Sequence, residues 1–385
     1  MADQPTGRIL IIDDSEHNRY LLERQLCRHG HTVVTAIHGR QGLEYVQQQP
    51  FDVILLDLMM PEMDGFTVLS YLKRDPQTRH IPVIVISAID EIEDVVRCIE
   101  AGAEDYLTKP INTILLHAKI NASLERKWLR DQEQAHLTAM RYELELGRRM
   151  QVDFLPATLP QISGWEITAA FVPAREVAGD FYDAFILPNQ QLVCLLGDVC
   201  DKGVGAALFM ALTRSLLRAF IEQTVLDGAD PLRAVAMTNE YIARHHHTSR
   251  TFSTIFCAVV DPTDGTIRYI NAGHPLPLLL RASGQGEMLS LTGPAIGWIA
   301  NAQFTIETIS LQVGDTLFAY TDGVTEARAP NGALFGEERL LAALDPALSG
   351  SRHLETVQRA VMAHTGRQQP EDDLTMLAIF RHGAT

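Results

Sequence analysis

The chain has 385 residues, with 32 Lys and Arg against 48 Asp and Glu, a formal net charge of −16. So acidic a chain lacks the basic field that nucleic-acid backbones and anionic membranes attract, which excludes both as main partners. Hydrophobic residues at 46% and charged residues at 21% exclude a largely disordered protein, and ~100–200 residues per domain admits two or three domains. The N-terminal stretch has neither a basic-then-apolar leader nor a transit composition, and no apolar run is expected to reach the ~18 residues of a membrane span. Cys27, Cys98, Cys194, Cys200 and Cys257 contain no Cys-x-x-Cys pair. That spacing argues against a disulfide framework and a zinc knuckle, so a reduced, cytoplasmic setting is expected.

In chain order, strands are predicted at 8–12, 31–36, 53–56, 82–86 and 105–108, with amphipathic stretches between them. Near-continuous apolar strands alternating with helices predict an α/β doubly wound, five-stranded parallel sheet. Such sheets bind ligands beyond the carboxyl ends of their strands. That rule gathers Asp13 and Asp14 after the first strand, Asp57 after the third, Ser87 after the fourth and Lys109 after the fifth. Three carboxylates that close repel one another unless a hard cation such as Mg²⁺ sits among them.

From 112 to about 154 the chain is rich in Leu, Glu, Arg, Gln and Ala, without Gly or Pro until Gly147, which predicts an extended helical connector. Leu137, Met140 and Leu144 fit a short heptad-like seam that Gly147 and Gln151 interrupt. Two readings stand open: a helix packing back on its own domain, or a homodimer formed through the linker. Beyond Pro156, strands are predicted at 167–172, 192–196, 254–260, 266–271, 316–320 and 376–380. Helices are predicted at 205–223, 231–246, 337–344 and 353–364, and the mixture reads as an α+β sandwich. The triplet His245-His246-His247 reads as a solvated helix end, because consecutive helical residues face different sides.

This half carries its own acidic set: Asp180 and Asp183, Asp198, Asp322, and Asp372 with Asp373, at strand edges beside Gly or small turn residues. Two divalent ions held by such carboxylates would lower the pKa of a bridging water and aim it at a phosphate ester. No Gly-x-Ser-x-Gly or Walker loop is present, which favours direct attack by water over a protein nucleophile.

Two resemblances follow from these motifs. Through Ile11-Ile12-Asp13-Asp14, Leu55-Leu56-Asp57-Leu58-Met59-Met60-Pro61, Ile86-Ser87-Ala88 and Tyr106-Leu107-Thr108-Lys109-Pro110, the first part resembles a response-regulator receiver domain. The resemblance implies that Asp57 accepts a phosphoryl group from a histidine kinase, with Mg²⁺ held by Asp13, Asp14, Asp57 and the Met59 carbonyl. It also implies that Ser87 and Lys109 contact the phosphoryl group and that Tyr106 is the switch aromatic. Through Gly179-Asp180-Phe181-Tyr182-Asp183, Gly197-Asp198-Val199, Asn271-Ala272-Gly273-His274-Pro275, Tyr320-Thr321-Asp322-Gly323-Val324 and Asp372-Asp373-Leu374-Thr375, the second part resembles bacterial PPM (PP2C-like) serine/threonine phosphatases. The branch it resembles acts on anti-sigma-factor antagonists.

That resemblance implies Asp180, Asp198, the Val199 carbonyl, Asp322 and Asp372 as ligands of two Mn²⁺ or Mg²⁺ ions, with Asp373 behind them. It further implies a phosphorylated STAS-type anti-sigma-factor antagonist as substrate. Cys200-Asp201 and Gly205 depart from the family's usual residues without removing a ligand; Asn271, Gly273 and His274 read as a turn. The expected organisation is a receiver domain at 1–125, a helical linker at 126–155 and a PP2C-like sandwich at 156–385. The alternative is a non-catalytic phosphatase-like module that binds a sigma factor or its regulators, and the intact aspartates weigh against it.

Overall fold

Runs of Val, Ile and Leu with no polar interruption make strands that must be covered on both faces. In the computed structural model, which describes residues 6–87, 92–246, 251–345 and 348–383, the three central strands of the first sheet (8–12, 53–57 and 83–87) are of this kind, whereas its two edge strands, Thr32–Ala36 and Asp105–Thr108, carry polar residues and are partly exposed. Ala88 and His247, named above, lie outside the described residues. The chain divides into two units, one ending at Met140 and the other starting at Arg141.

The first unit runs β1 (Arg8–Ile12), α1 (Glu16–Arg28), β2 (Thr32–Ala36), α2 (Gly39–Gln48), β3 (Val53–Asp57), α3 (Gly65–Arg74), β4 (Val83–Ser87), α4 (Ile92–Glu100) and β5 (Asp105–Thr108). Its strands are ordered β2-β1-β3-β4-β5 with every pairing parallel. Alternation sorts the side chains by face. Leu10, Ile12, Ile54, Leu56, Val83 and Val85 pack with Val46, Val68 and Leu72 of α2 and α3. Ile9, Ile11, Leu55, Ile84 and Ile86 pack with Leu22 and Leu26 of α1 and with Leu116, Ile120 and Leu124. Those last three open α5 (Thr113–Val152), a 40-residue helix that carries the chain into the second unit. Leu137 and Met140 of the predicted seam are 43% and 49% exposed, whereas Gln151 is buried.

The second unit continues with β6 (Trp165–Val172), β7 (Phe181–Ile186), β8 (Leu192–Val199), α6 (Val204–Leu226), α7 (Arg233–His245), β9 (Ser253–Val260), β10 (Thr266–Ala272), β11 (Leu278–Leu280), β12 (Gly286–Met288), β13 (Glu307–Ser310), β14 (Thr316–Tyr320), α8 (Asp322–Thr325), α9 (Gly336–Ala343), α10 (Gly350–Thr365) and β15 (Leu374–Arg381). Two antiparallel sheets, β13-β10-β9-β8-β7 and β12-β11-β14-β15-β6, share a core of Leu192, Cys194, Leu196, Phe256, Leu317, Ala319, Leu377 and Ile379. The outer face of the first sheet is covered by α6 and α7, and that of the second by α9 and α10.

Two expectations change here. Helix α6 is long and apolar enough to cross a membrane, contrary to the reading of the sequence, but its Met210, Leu217 and Ile221 pack on the first sheet. Asp183, read with the strand-edge acids, is instead fully buried within β7. Its carboxylate meets Arg214 Nη2 at 2.7 Å and Arg218 Nη1 at 3.2 Å, both from α6. Unlike a strand-edge acid, it is neutralised by a helix packed on its own sheet. His245 ends α7 on the surface, as the triplet predicted.

Candidate metal centres

The first centre sits where the sheet's strand order reverses. Asp13 directly follows β1 and Asp57 ends β3, both buried, and exposed Asp14 completes a trio whose ligand oxygens lie within 4.8 Å of one another. Among the described residues no other such trio of His, Cys, Asp or Glu exists. Asp13 is held by Ser15 N at 2.8 Å and Asn18 Nδ2 at 3.1 Å. Lys109 Nζ lies 2.8 Å from Asp57 Oδ2 and 3.3 Å from Asp13 Oδ2. Burial raises the Asp57 pKa above the usual carboxylate range and Asp13 adds to the rise, against the opposing hydrogen bond from Lys109. Burial works against the Lys109 charge, but Asp57 and Asp13 outweigh it and raise that pKa.

Ser87 is buried at the end of β4, opposite Thr108, and Met59, two residues beyond Asp57, is 65% exposed. Tyr106 is an exposed ring on β5, with Lys119 Nζ 5.3 Å from its centroid. The structure therefore brings Asp13, Asp14, Asp57 and Lys109 together, while the Tyr106 ring faces solvent.

The second centre lies at one edge of the sandwich, where both inner faces run out of apolar residues. Asp198 follows Leu192, Cys194 and Leu196 on the inner face of β8. Thr321 and Thr375 continue the inner faces of β14 and β15, past Ala319 and Leu377. Both hydroxyls donate to Asp180 Oδ2, at 2.7 and 2.5 Å, and so tie the acid preceding β7 to the opposite sheet. The Val199 carbonyl lies against Gly179, 3.1 Å from where a Cβ would stand. Asp373 accepts from Ala174 N and Gly179 N, each at 2.8 Å, and so shapes the loop before Asp180 rather than facing into the centre.

Gln151, at the end of α5, donates to Ala178 O at 2.6 Å and accepts from Ala178 N at 3.0 Å. Asp322 opens α8, whose Gly323 packs so closely on the second sheet that a Cβ would lie 2.0 Å from Asp373 O. Asp372 is 43% exposed and meets Lys202 Nζ at 2.6 Å. Thr321, Thr375, Gln151 and Lys202 are the contributors that sequence reasoning missed.

Burial, then the charges of Asp198 and Asp373, push the Asp180 pKa well up despite the two hydroxyls. Burial and then Asp322 push Asp198 up to about 7. Burial, then Asp372 and Glu326, push Asp322 up to about 6. A set of oxygen donors that resist ionisation together is the chemistry a hard divalent cation relieves. The first centre fits such an ion as well: Asp57 Oδ1 is buried without a hydrogen-bond partner. Asn271 Oδ1 accepts from His274 N at 2.8 Å, which closes the turn read from the sequence, and His274 is buried behind it.

Comparison with known proteins follows the same division. The model of the response regulator receiver domain matches residues 9–121, and that of Stage II sporulation protein E (SpoIIE) matches residues 188–382. Protein IcfG of Synechocystis sp. is 42% identical over 265 residues, 63% of this chain and 42% of that protein, so the chain spans less than half of that relative. Protein PilH of Pseudomonas aeruginosa is 42% identical over 118 residues, 31% of this chain and 98% of its own length. The SiaA-PP2C domain of Pseudomonas aeruginosa shares the fold of the second unit, with a TM-score of 0.55 at 21% identity over 65% of this chain and 99% of that domain. Two antiparallel sheets with acids converging at one edge, joined to a receiver sheet and matched by these models, place the chain in the SpoIIE family, with a response-regulator receiver domain at its N-terminal end.

Proposed function

We propose that the chain is a two-component response regulator whose receiver domain (1–125) controls, through a helical linker (126–155), a metal-dependent serine/threonine phosphatase (156–385). In this reading a histidine kinase supplies the phosphoryl group, Asp57 accepts it, and Lys109 and Ser87 hold its oxygens. Tyr106 reports the change of state. Mg²⁺ would be held by Asp13, Asp14, Asp57 and the Met59 carbonyl. In the second unit Asp180, Asp198, Asp322, Asp372 and the Val199 carbonyl would hold two Mn²⁺ or Mg²⁺ ions. When bound, such ions lower the pKa of a water and offset charge on a phosphate ester.

The chain's own residues supply the rest. Thr321 and Thr375 orient Asp180 as an ionised ligand, Asp373 fixes the loop ahead of it, and Gln151 ties that loop to the end of the linker. The observation that carries the reading is the convergence of acids from both sheets at one edge, where burial and mutual repulsion raise their pKa values. The substrate proposed is a phosphoserine or phosphothreonine on a STAS-type anti-sigma-factor antagonist, in the cytoplasm. The complete set of ligand carboxylates argues against a purely adaptor-like module.

The test is phosphate release from a phosphorylated STAS-domain protein with Mn²⁺, beside the Asp322→Ala variant and with or without acetyl phosphate. Release by the wild type and none by the variant is expected, with a rate that responds to acetyl phosphate only while Asp57 is intact. Equal release by both proteins would refute the assignment.

A further inference from the structure

One exposed tryptophan stands on a tethered loop within reach of the second centre, and it is this combination, rather than its exposure alone, that bears on function. Trp298 and Ile299 are 63% and 50% exposed. The loop that carries them is fixed to α7 by Asn239, itself buried: Asn239 Oδ1 accepts from Gly297 N at 2.9 Å, and Asn239 Nδ2 donates to Ile299 O at 3.0 Å. Gly297 has φ +85°, and a Cβ there would lie 2.7 Å from Ile242 Cγ2, so the loop packs on the helix where no side chain fits. On the other side, Ile296 pairs with Ser253 of β9 through backbone bonds of 2.8 and 3.0 Å. The backbone that carries the two apolar side chains is therefore held on both sides.

Sheet register connects this loop to the metal centre. Asp198 pairs with Thr254 and Val199 with Ser253, and Cys200 N bonds Phe252 O at 3.0 Å, which extends the ladder by one residue. Cross-strand partners share a face and side chains alternate, so Asp198, Thr254, Cys200 and Phe252 all project from the inner face of the sheet. The Trp298 ring lies on Phe252, with centroids 4.4 Å apart. Two residues of strand, about 7 Å, separate Phe252 from the level of the Asp198 carboxylate.

We propose that Trp298, with Ile299, forms a docking surface for the phosphoprotein substrate, receiving an apolar side chain about three residues from the phosphorylated Ser or Thr. An extended chain covers about 10 Å in three residues, the same scale as the two residues of strand and one ring contact that lead from Asp198 to Trp298. The occupant follows from continuity with the centre: a phosphate ester bound among the carboxylates must carry its flanking chain over this rim, and tryptophan is the side chain most often dominant in such contacts. The inference rests on the phosphatase reading and names which part of the substrate that site would select.

The test uses two phosphoserine peptides identical except for Leu or Ser at the third residue on both sides, their phosphonate analogues for binding, and p-nitrophenyl phosphate, with the full chain and Mn²⁺. The Leu peptide is expected to be favoured at least tenfold in kcat/KM, and its phosphonate at least tenfold in affinity. Trp298→Ala should abolish both preferences and leave p-nitrophenyl phosphate hydrolysis within twofold; Trp298→Phe should keep part of them. Absence of the preference in the wild type, its survival in Trp298→Ala, or a parallel fall with p-nitrophenyl phosphate would each overturn the proposal. If no substrate is hydrolysed but the phosphonate preference holds and vanishes in Trp298→Ala, docking stands and the phosphatase reading falls.

Discussion

Gln151 offers the sharpest test of how the end of the linker helix bears on the second centre. One buried amide satisfies both backbone groups of Ala178, itself buried, two residues from Asp180. Gln151→Met keeps the volume and removes both bonds. Each buried group left unpaired costs about 1–3 kcal/mol, so the loop should lose about 3 kcal/mol where it is held most tightly. Displacements near 1 Å cost catalytic centres about a hundredfold, so p-nitrophenyl phosphate hydrolysis with Mn²⁺ should fall at least tenfold in kcat, alongside a lowered urea midpoint.

Gln151→Glu adds a direction. Ionised, it sets a negative oxygen against the Ala178 carbonyl and should be at least as damaging as Met; protonated, it donates there again, so its stability deficit should shrink as pH falls toward 5. A cost below about 0.5 kcal/mol for Gln151→Met with unchanged kcat, or a Glu variant whose deficit ignores pH, would refute the clamp.

Three further outcomes are expected. Burial lowers the His274 pKa to about 3, against the opposing Tyr320 backbone, while the unfolded value is about 6.5. The unfolded chain then binds the extra proton, so the contribution of His274 to stability is complete above the unfolded value and lost as pH falls toward the folded one. By pH 5 the loss is about 2 kcal/mol. The stability difference between wild type and His274→Gln in urea should narrow by that amount from pH 7.5 to 5, which cancels the opposite trend of the raised aspartates common to both proteins. Arg214→Met strands Asp183 in the first sheet with only the more exposed Arg218 and should cost about 3–5 kcal/mol; Asp183→Leu in the same chain should recover most of it in thermal unfolding. Lys202→Gln removes the cation that competes for Asp372; an exposed pair is worth at most about 1 kcal/mol, so calorimetric Mn²⁺ affinity should rise by no more than about fivefold.

What could be read from the sequence depended on whether a residue's partners are local. The receiver centre was legible because a parallel sheet brings the residue after each strand to the same edge; Asp13, Asp57 and Ser87 each end or follow an unmistakable apolar run, and Lys109 follows the shorter, more polar Asp-Tyr-Leu-Thr of β5. The acids of the second unit, whose sheets are antiparallel, were legible for a different reason, that each flanks the end of an apolar strand beside Gly or a small turn residue, but what holds them was not. Asp180 is oriented by Thr321 and Thr375, 141 and 195 residues away, and nothing in a Thr beside an Asp announces that its hydroxyl crosses a sandwich. The signal lay in strand parity: both threonines fall in phase with the inward leucines and alanines of their strands, so each had to point at the opposite sheet. Parity would also have separated Asp183 from the strand-edge acids, because a carboxylate in the middle of Phe-Tyr-Asp-Ala-Phe-Ile requires a buried cation, and only the helix covering the sheet could supply one. Gln151 gave the opposite error. Read along one helix it interrupts a seam, and only the fold reveals that a polar residue at that position satisfies a loop the same helix ends against. The acids could therefore be named from composition and spacing, whereas the groups that set their geometry are found only by asking, strand by strand, which face each polar residue must share.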